Sequence, residues 1–170
     1  MAAHSRAACI SFSIFLVALT VRAATGGEPS IEIVDWGLTS AREVGSEISP
    51  DTPTGLNRLV EGPVNVIRAT SIRACIGTSF GVIYRTDDDS GVLPIMVVVQ
   101  HPLIKTPDGR SMQKSSWHDS AIPQRRYAGW VFERDFELVS GSWIISLRDA
   151  SGKEMASKRF NVVAGSCPIS

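Results

Sequence analysis

The sequence predicts an all-β protein, an antiparallel β-sandwich of about seven strands. Three observations carry that prediction. Apolar residues alternate with period two around residues 80–85, 130–138, 143–147 and 160–163, the pattern of strands with one buried face. Turns rich in glycine and proline separate these stretches. No segment after residue 30 keeps a helical period for more than two turns. Sheets with one apolar face must bury it against a partner sheet, which makes a sandwich the expected architecture. A partly open barrel is the alternative.

Composition narrows the function classes. The chain has 170 residues, 44% hydrophobic and 20% charged, with 17 basic against 17 acidic side chains. That is a globular composition with chain enough for one domain and a real core. Zero net charge gives no footprint for nucleic acid.

The first element is an address. Residues 1–23 read as a secretory signal peptide: Arg6 supplies positive charge, Cys9–Val21 is the apolar run, and Val21 and Ala23 sit at −3 and −1 of a small-residue cut before Ala24. The run is shorter than the about 20 apolar residues of a spanning helix. An uncleaved membrane anchor is the alternative, and no later segment is long enough to span a bilayer. Removing the signal leaves 147 residues, with 15 basic against 17 acidic side chains. The expected location is periplasmic or secreted.

Residues 24–29 read as a flexible lead-in, 30–164 as the β-sandwich domain and 165–170 as a C-terminal tail. Ile31–Trp36 is a short β-prone run. Residues 38–63 are rich in Ser, Thr, Gly, Pro and charge, and read as a long irregular loop. Val64–Ile67 opens a strand. Residues 79–100 read as a hairpin turning at Thr86–Gly91, with an edge or bulge near Pro94. Residues 101–124 read as a second long loop around the turn Pro107-Asp108-Gly109. In the last third, Trp130, Phe132, Phe136 and Leu138 share one face of a strand, interrupted by Arg134. Two further strands follow, around Trp143–Leu147 and Phe160–Val162, so three consecutive antiparallel strands are expected to end the domain. The expected core includes Trp143, Phe132, Phe136, Phe160, Phe80, Tyr84 and Val98.

The mature chain keeps two cysteines, Cys75 and Cys167. An even count in an exported protein points to a disulfide, with two unpaired thiols as the alternative. The sequence contains no C-x-x-C and no H-x-x-x-H, so it offers no zinc motif.

The run Gly77-Thr78-Ser79-Phe80-Gly81, the His101-Pro102 pair with its Pro107-Asp108-Gly109 turn, and the ending Gly141-Ser142-Trp143, Gly152-Lys153, Phe160-Asn161-Val162 carry a resemblance. The chain resembles a bacterial family known as a secreted domain of unknown function, with an immunoglobulin-like β-sandwich, over roughly residues 30–164. The resemblance implies location and architecture and is silent on substrate. A fold of this kind does not by itself license a function.

Three groups of residues could carry chemistry. Asp87-Asp88-Asp89-Ser90-Gly91 offers carboxylates beside a glycine, but lacks the downstream Glu of an EF-hand loop; a solvated turn is the plain reading. His118-Asp119 beside Trp117 offers a titratable group, a carboxylate and a stacking surface, with His101 and Arg110 in the same 101–126 segment. No nucleophile motif accompanies them. Arg125-Arg126 offers two forks for carboxylate or phosphate, but neighbours on a strand face opposite ways. The sequence implies no cofactor and no resident metal. The expected function is a non-enzymatic binding or interaction module, presenting the 38–63 and 101–126 segments to a protein or glycan of the cell envelope. Its expected binding residues are Trp117, His118, Asp119, His101 and Arg110. The alternatives are a small metal-dependent or His/Asp-based hydrolase using His101, His118 and Asp119, and a structural envelope component.

Overall fold

The computed structural model describes residues 29–87 and 91–167. The signal-peptide segment, most of the lead-in, Asp88–Ser90 and residues 168–170 lie outside the described residues.

Nine strands are described: β1 (Ile31–Ile48), β2 (Leu56–Ile67), β3 (Ser71–Arg73), β4 (Ser79–Thr86), β5 (Leu93–Lys105), β6 (Ser111–Ala121), β7 (Arg126–Val131), β8 (Gly141–Arg148) and β9 (Glu154–Val163). They form two sheets. One has the order β2-β1-β4-β7, the other β3-β9-β8-β5-β6. All pairings are antiparallel except the short β3–β9 pair.

The inner faces meet in one aromatic-rich core. Phe80 and Tyr84 of the first sheet and Trp143, Ile145 and Phe160 of the second are fully buried. Phe80 stacks edge-on against Phe160 at 5.1 Å and Trp143 at 5.8 Å between centroids. Such offset and edge-to-face geometry is the favoured arrangement of aromatic quadrupoles. Of the expected core residues, Phe132 is fully buried and Phe136 only partly. Val98 is buried, while its neighbours Val97 and Val99 belong to the central cluster.

Both stretches read as long loops are strands. The 38–63 segment is the far half of β1 and most of β2, with only residues 49–55 as a turn. Its strands were hidden because this arm extends past the end of β4, where β1 pairs only with β2. Polar residues can occupy both faces there, and the apolar alternation vanishes. The 101–124 segment contains the end of β5, a turn at 106–110 and all of β6. β6 is an edge strand, and its inward positions include Ser115 and Asp119, which break the alternation.

Residues 79–100 are not a hairpin. β4 and β5 lie in different sheets, because each has its own inner face to bury. Pro94 lies in β5, an internal strand, but ahead of Met96, where pairing with β8 begins; there the strand is locally an edge, which suits a residue without an N–H. The expected 130–138 strand stops at Val131, and a single 3₁₀ turn covers Asp135–Glu137. The Glu137 carboxylate accepts from the N–H groups of Glu133 (2.8 Å) and Arg134 (2.9 Å), which turns the chain. β7 belongs to the other sheet, so only β8 and β9 close the domain as a hairpin.

Cys75 and Cys167 form a disulfide, with Cα atoms 5.7 Å apart. It ties the C-terminal tail to the segment after β3.

Candidate functional site

The arm formed by β1 and β2 does not project freely. Its turn reaches the edge of the opposite sheet: Ser116 N–H of β6 donates to the Asp51 carbonyl at 3.2 Å. Arg110 fixes this crossing. Its guanidinium donates to the carbonyls of Pro50 (3.1 Å), Thr52 (3.2 Å) and Pro53 (3.0 Å), while Nε holds the Asp108 carboxylate at 2.8 Å. A planar fork with five N–H donors is suited to gathering several carbonyls at once. Nearer the sheet, Arg58 of β2 lies between Glu43 and Glu133. The contact with Glu133 holds the Arg58 charge in place and raises its pKa.

Between the arm and the edges of β6 and β7 runs a cleft of about 940 Å³, at the upper end of the range for ligand sites. The arm supplies Glu43, Glu47 and Arg58, β6 supplies Trp117–Asp119, and residues 125–131 supply the facing wall.

Trp117, His118 and Asp119 therefore meet at the cleft, but in different ways. Trp117 packs partly against the core, whereas His118 on the alternate face is exposed. Asp119 is nearly buried and fully engaged. It accepts from Tyr84 Oη (2.7 Å), Arg126 Nη2 (2.6 Å) and the Ser120 N–H (2.7 Å). Burial, reinforced by the Asp119 charge, pushes the Tyr84 hydroxyl far up, so it stays a donor. Arg125 turns the other way, to Asp35 at 3.8 Å.

His101 is not at the cleft. It is 5% exposed, stacked near Trp143 (5.1 Å) and Trp130 (5.6 Å). Its Nδ1–H donates to the Pro102 carbonyl at 2.8 Å, which leaves Nε2 to accept from Ser115 Oγ at 3.0 Å. Burial lowers its pKa, so the ring is a neutral core residue. The expected grouping of His101 with His118 and Asp119 is thus corrected: one ring is buried, the other faces solvent. Arg110 is likewise a clamp on the arm.

Among the described residues, no group of three or more His, Cys, Asp or Glu is placed to hold a metal ion. Asp87 accepts from the N–H (2.7 Å) and hydroxyl (2.6 Å) of Ser30; the rest of its acidic run lies outside the described residues. No helix among them is long and apolar enough to cross a membrane.

Sequence reading missed the glycine rung behind the cleft. Gly37, Gly81 and Gly129 stand directly opposite one another on β1, β4 and β7. The Tyr127 ring fills the space beside the last two: a Cβ on Gly129 would lie 2.0 Å from Tyr127 Oη, and one on Gly81 2.7 Å from Cε2. Tyr127 Oη then bonds Thr39 (3.0 Å) and Ser79 (3.2 Å), tying the root of the arm to the sheet. Glycine within a strand is the usual mark of such close approach, and Gly81 and Gly129 were the available signal.

The profile of a family described as a domain of unknown function (DUF3859) matches residues 28–162. The chain belongs to this family. Among solved structures, it is similar to an immunoglobulin-like protein from Pseudomonas aeruginosa, at 19% identity and a TM-score of 0.58. The match covers 82% of this chain and 99% of that one. At that identity the likeness shows the fold, an immunoglobulin-like β-sandwich. A search of curated proteins returns no match.

Proposed function

We propose that this protein is an exported, non-enzymatic binding module of the cell envelope, with the cleft as its site. One observation carries the reading: the two segments marked from sequence, 38–63 and 101–126, come together as the walls of one cleft. Trp117 and Tyr127 supply apolar contact and carboxylates and guanidinium groups line the rim, a composition suited to holding a chain of mixed polarity. The disulfide and the immunoglobulin-like fold agree with an extracytoplasmic setting. A hydrolase built on His101, His118 and Asp119 has no such support, since His101 is enclosed and Asp119 is saturated with donors.

The test is a thermal-shift and tryptophan-fluorescence panel on residues 24–170. It sets extended peptides, peptidoglycan fragments and neutral oligosaccharides against wild type, Trp117→Ala and His118→Ala. Ligand at about 100 times its Kd stabilises by about 2.7 kcal/mol. A shift in wild type that Trp117→Ala loses supports the cleft; a ligand shift indifferent to both substitutions overturns it.

A further inference from the structure

The geometry points to the occupant: an extended peptide of net positive charge that adds to the free edge of β7 as a fifth strand. This deepens the binding reading and rests on it.

β7 ends its sheet. It pairs only with β4, so alternate residues turn their N–H and C=O groups away from that partner. Among the described residues, no backbone hydrogen bond meets Tyr127–Val131 on that side. These groups border the cleft.

Natural edge strands are guarded by proline, charge or bulges, because a bare edge recruits other strands. β7 has none of these between Tyr127 and Val131, and its register with β4 is unbroken. The far edge of the same sheet contrasts with it. β2 carries Arg58, Glu61 and Pro63, and its pairing with β1 is twice interrupted. The edge of β6 is capped by the arm at Ser116. β7 is instead sheltered beneath the arm. A strap bonded to β6 blocks the flat approach of a second sheet, yet leaves a slot that a single extended chain can enter. Strand addition of this kind takes its affinity from main-chain hydrogen bonds.

Charge selects among peptides. Six carboxylates against three guanidinium groups line the cleft; of the six, Glu137 is buried on the Glu133 and Arg134 N–H groups and Glu61 is paired with Arg42. Arg58 and Arg126 are already held by Glu43, Glu133 and Asp119. Among the described residues, Glu47 takes only the Asn57 amide, at 2.9 Å. A lysine or arginine on the incoming strand completes this set.

The experiment selects a random heptapeptide display library on the full chain, exported and purified with its disulfide intact. The selected peptides are then synthesised with single backbone N-methyl groups. Expected are sequences enriched in Lys or Arg, new exchange protection at alternate amides of residues 127–131, and at least tenfold weaker binding for N-methylation at every second position only. Glu47→Lys, an exposed change on the arm, weakens the same peptides about tenfold. Peptides that lose binding in Trp117→Ala but tolerate N-methylation everywhere leave the cleft as the site and overturn strand addition. No enrichment, or peptides indifferent to both Trp117→Ala and Glu47→Lys, overturns strand addition and the peptide occupant; the oligosaccharide arm of the earlier panel then decides the cleft itself. Concentration-dependent dimers that protect the β7 amides without peptide assign the edge to a second copy and overturn the proposal.

Discussion

Tyr84 on β4 donates its phenolic hydrogen to the Asp119 carboxylate on β6 at 2.7 Å, and so links the two sheets across their open side. A hydrogen bond to a charged acceptor contributes about 1.5–3 kcal/mol. Tyr84→Phe keeps the ring in the core and removes only this link. Its free energy of unfolding is expected to fall by that amount in urea titration. Asp119→Ala should cost more, because Tyr84 and Arg126 then both lose their acceptor. Equal stability of Tyr84→Phe and wild type would show that the link contributes nothing.

The glycine rung makes a second, sharper forecast. A Cβ on Gly81 meets the Ala128 carbonyl oxygen at 2.4 Å, a backbone atom that cannot move without shifting β7. A Cβ on Gly129 meets the Tyr127 side chain, which can swing away at the cost of its bonds to Thr39 and Ser79, but also the Phe80 carbonyl oxygen at 2.6 Å, which cannot. Overpacking costs about 1–3 kcal/mol, and since each Cβ meets a backbone carbonyl oxygen, Gly81→Ala and Gly129→Ala should both lie at or above the upper end. Combining Gly129→Ala with Tyr127→Ala should be less than additive. Thermal melts of wild type and the four variants decide it; strict additivity would mean that ring and glycine are not coupled.

These two pairs also show what the sequence could and could not reveal. Phe80, Trp143 and Phe160 were legible because each sits in a run of large apolar side chains spaced at period two. The arm was not, because residues beyond the end of β4 bury neither face and nothing imposes a period of two. Asp119 looked like a candidate base, since neither Tyr84 nor Arg126 is near enough in the chain to announce itself as its partner. His101 looked equally reactive until its place between two tryptophans was known. Residue type signals chemistry; only the packing says whether that chemistry is already spent on the fold.

The disulfide should contribute through the unfolded chain. Cys75 and Cys167 are separated by 92 positions, and in the chain-entropy treatment closing such a loop stabilises by about 4–5 kcal/mol. The double variant Cys75→Ala/Cys167→Ala is expected to unfold at a markedly lower urea concentration than the oxidised protein. Reduction of wild type should reproduce most of that loss. Thiol titration of the denatured, unreduced protein should find neither cysteine free. Two titratable thiols there would remove the bridge.

His101 sets the last expectation, a dependence of stability on pH. Burial holds its folded pKa below the ordinary 6.5, so the unfolded chain binds the proton first as pH falls. Stability from this group is complete above about 6.5 and declines as pH drops toward the folded value. The limiting slope is about 1.4 kcal/mol per pH unit for one proton. Glu137 acts in the opposite sense from pH 4.5 upward, since burial raises its pKa and the folded state then binds the proton more readily. The two contributions are separated by substitution: His101→Gln keeps a neutral hydrogen-bonding group but cannot titrate. Between pH 7.5 and 5.5 the unfolding free energy of wild type should fall more steeply than that of His101→Gln. Parallel curves would mean that the imidazole is protonated as readily in the fold as out of it, and that its place between Trp130 and Trp143 is open to water.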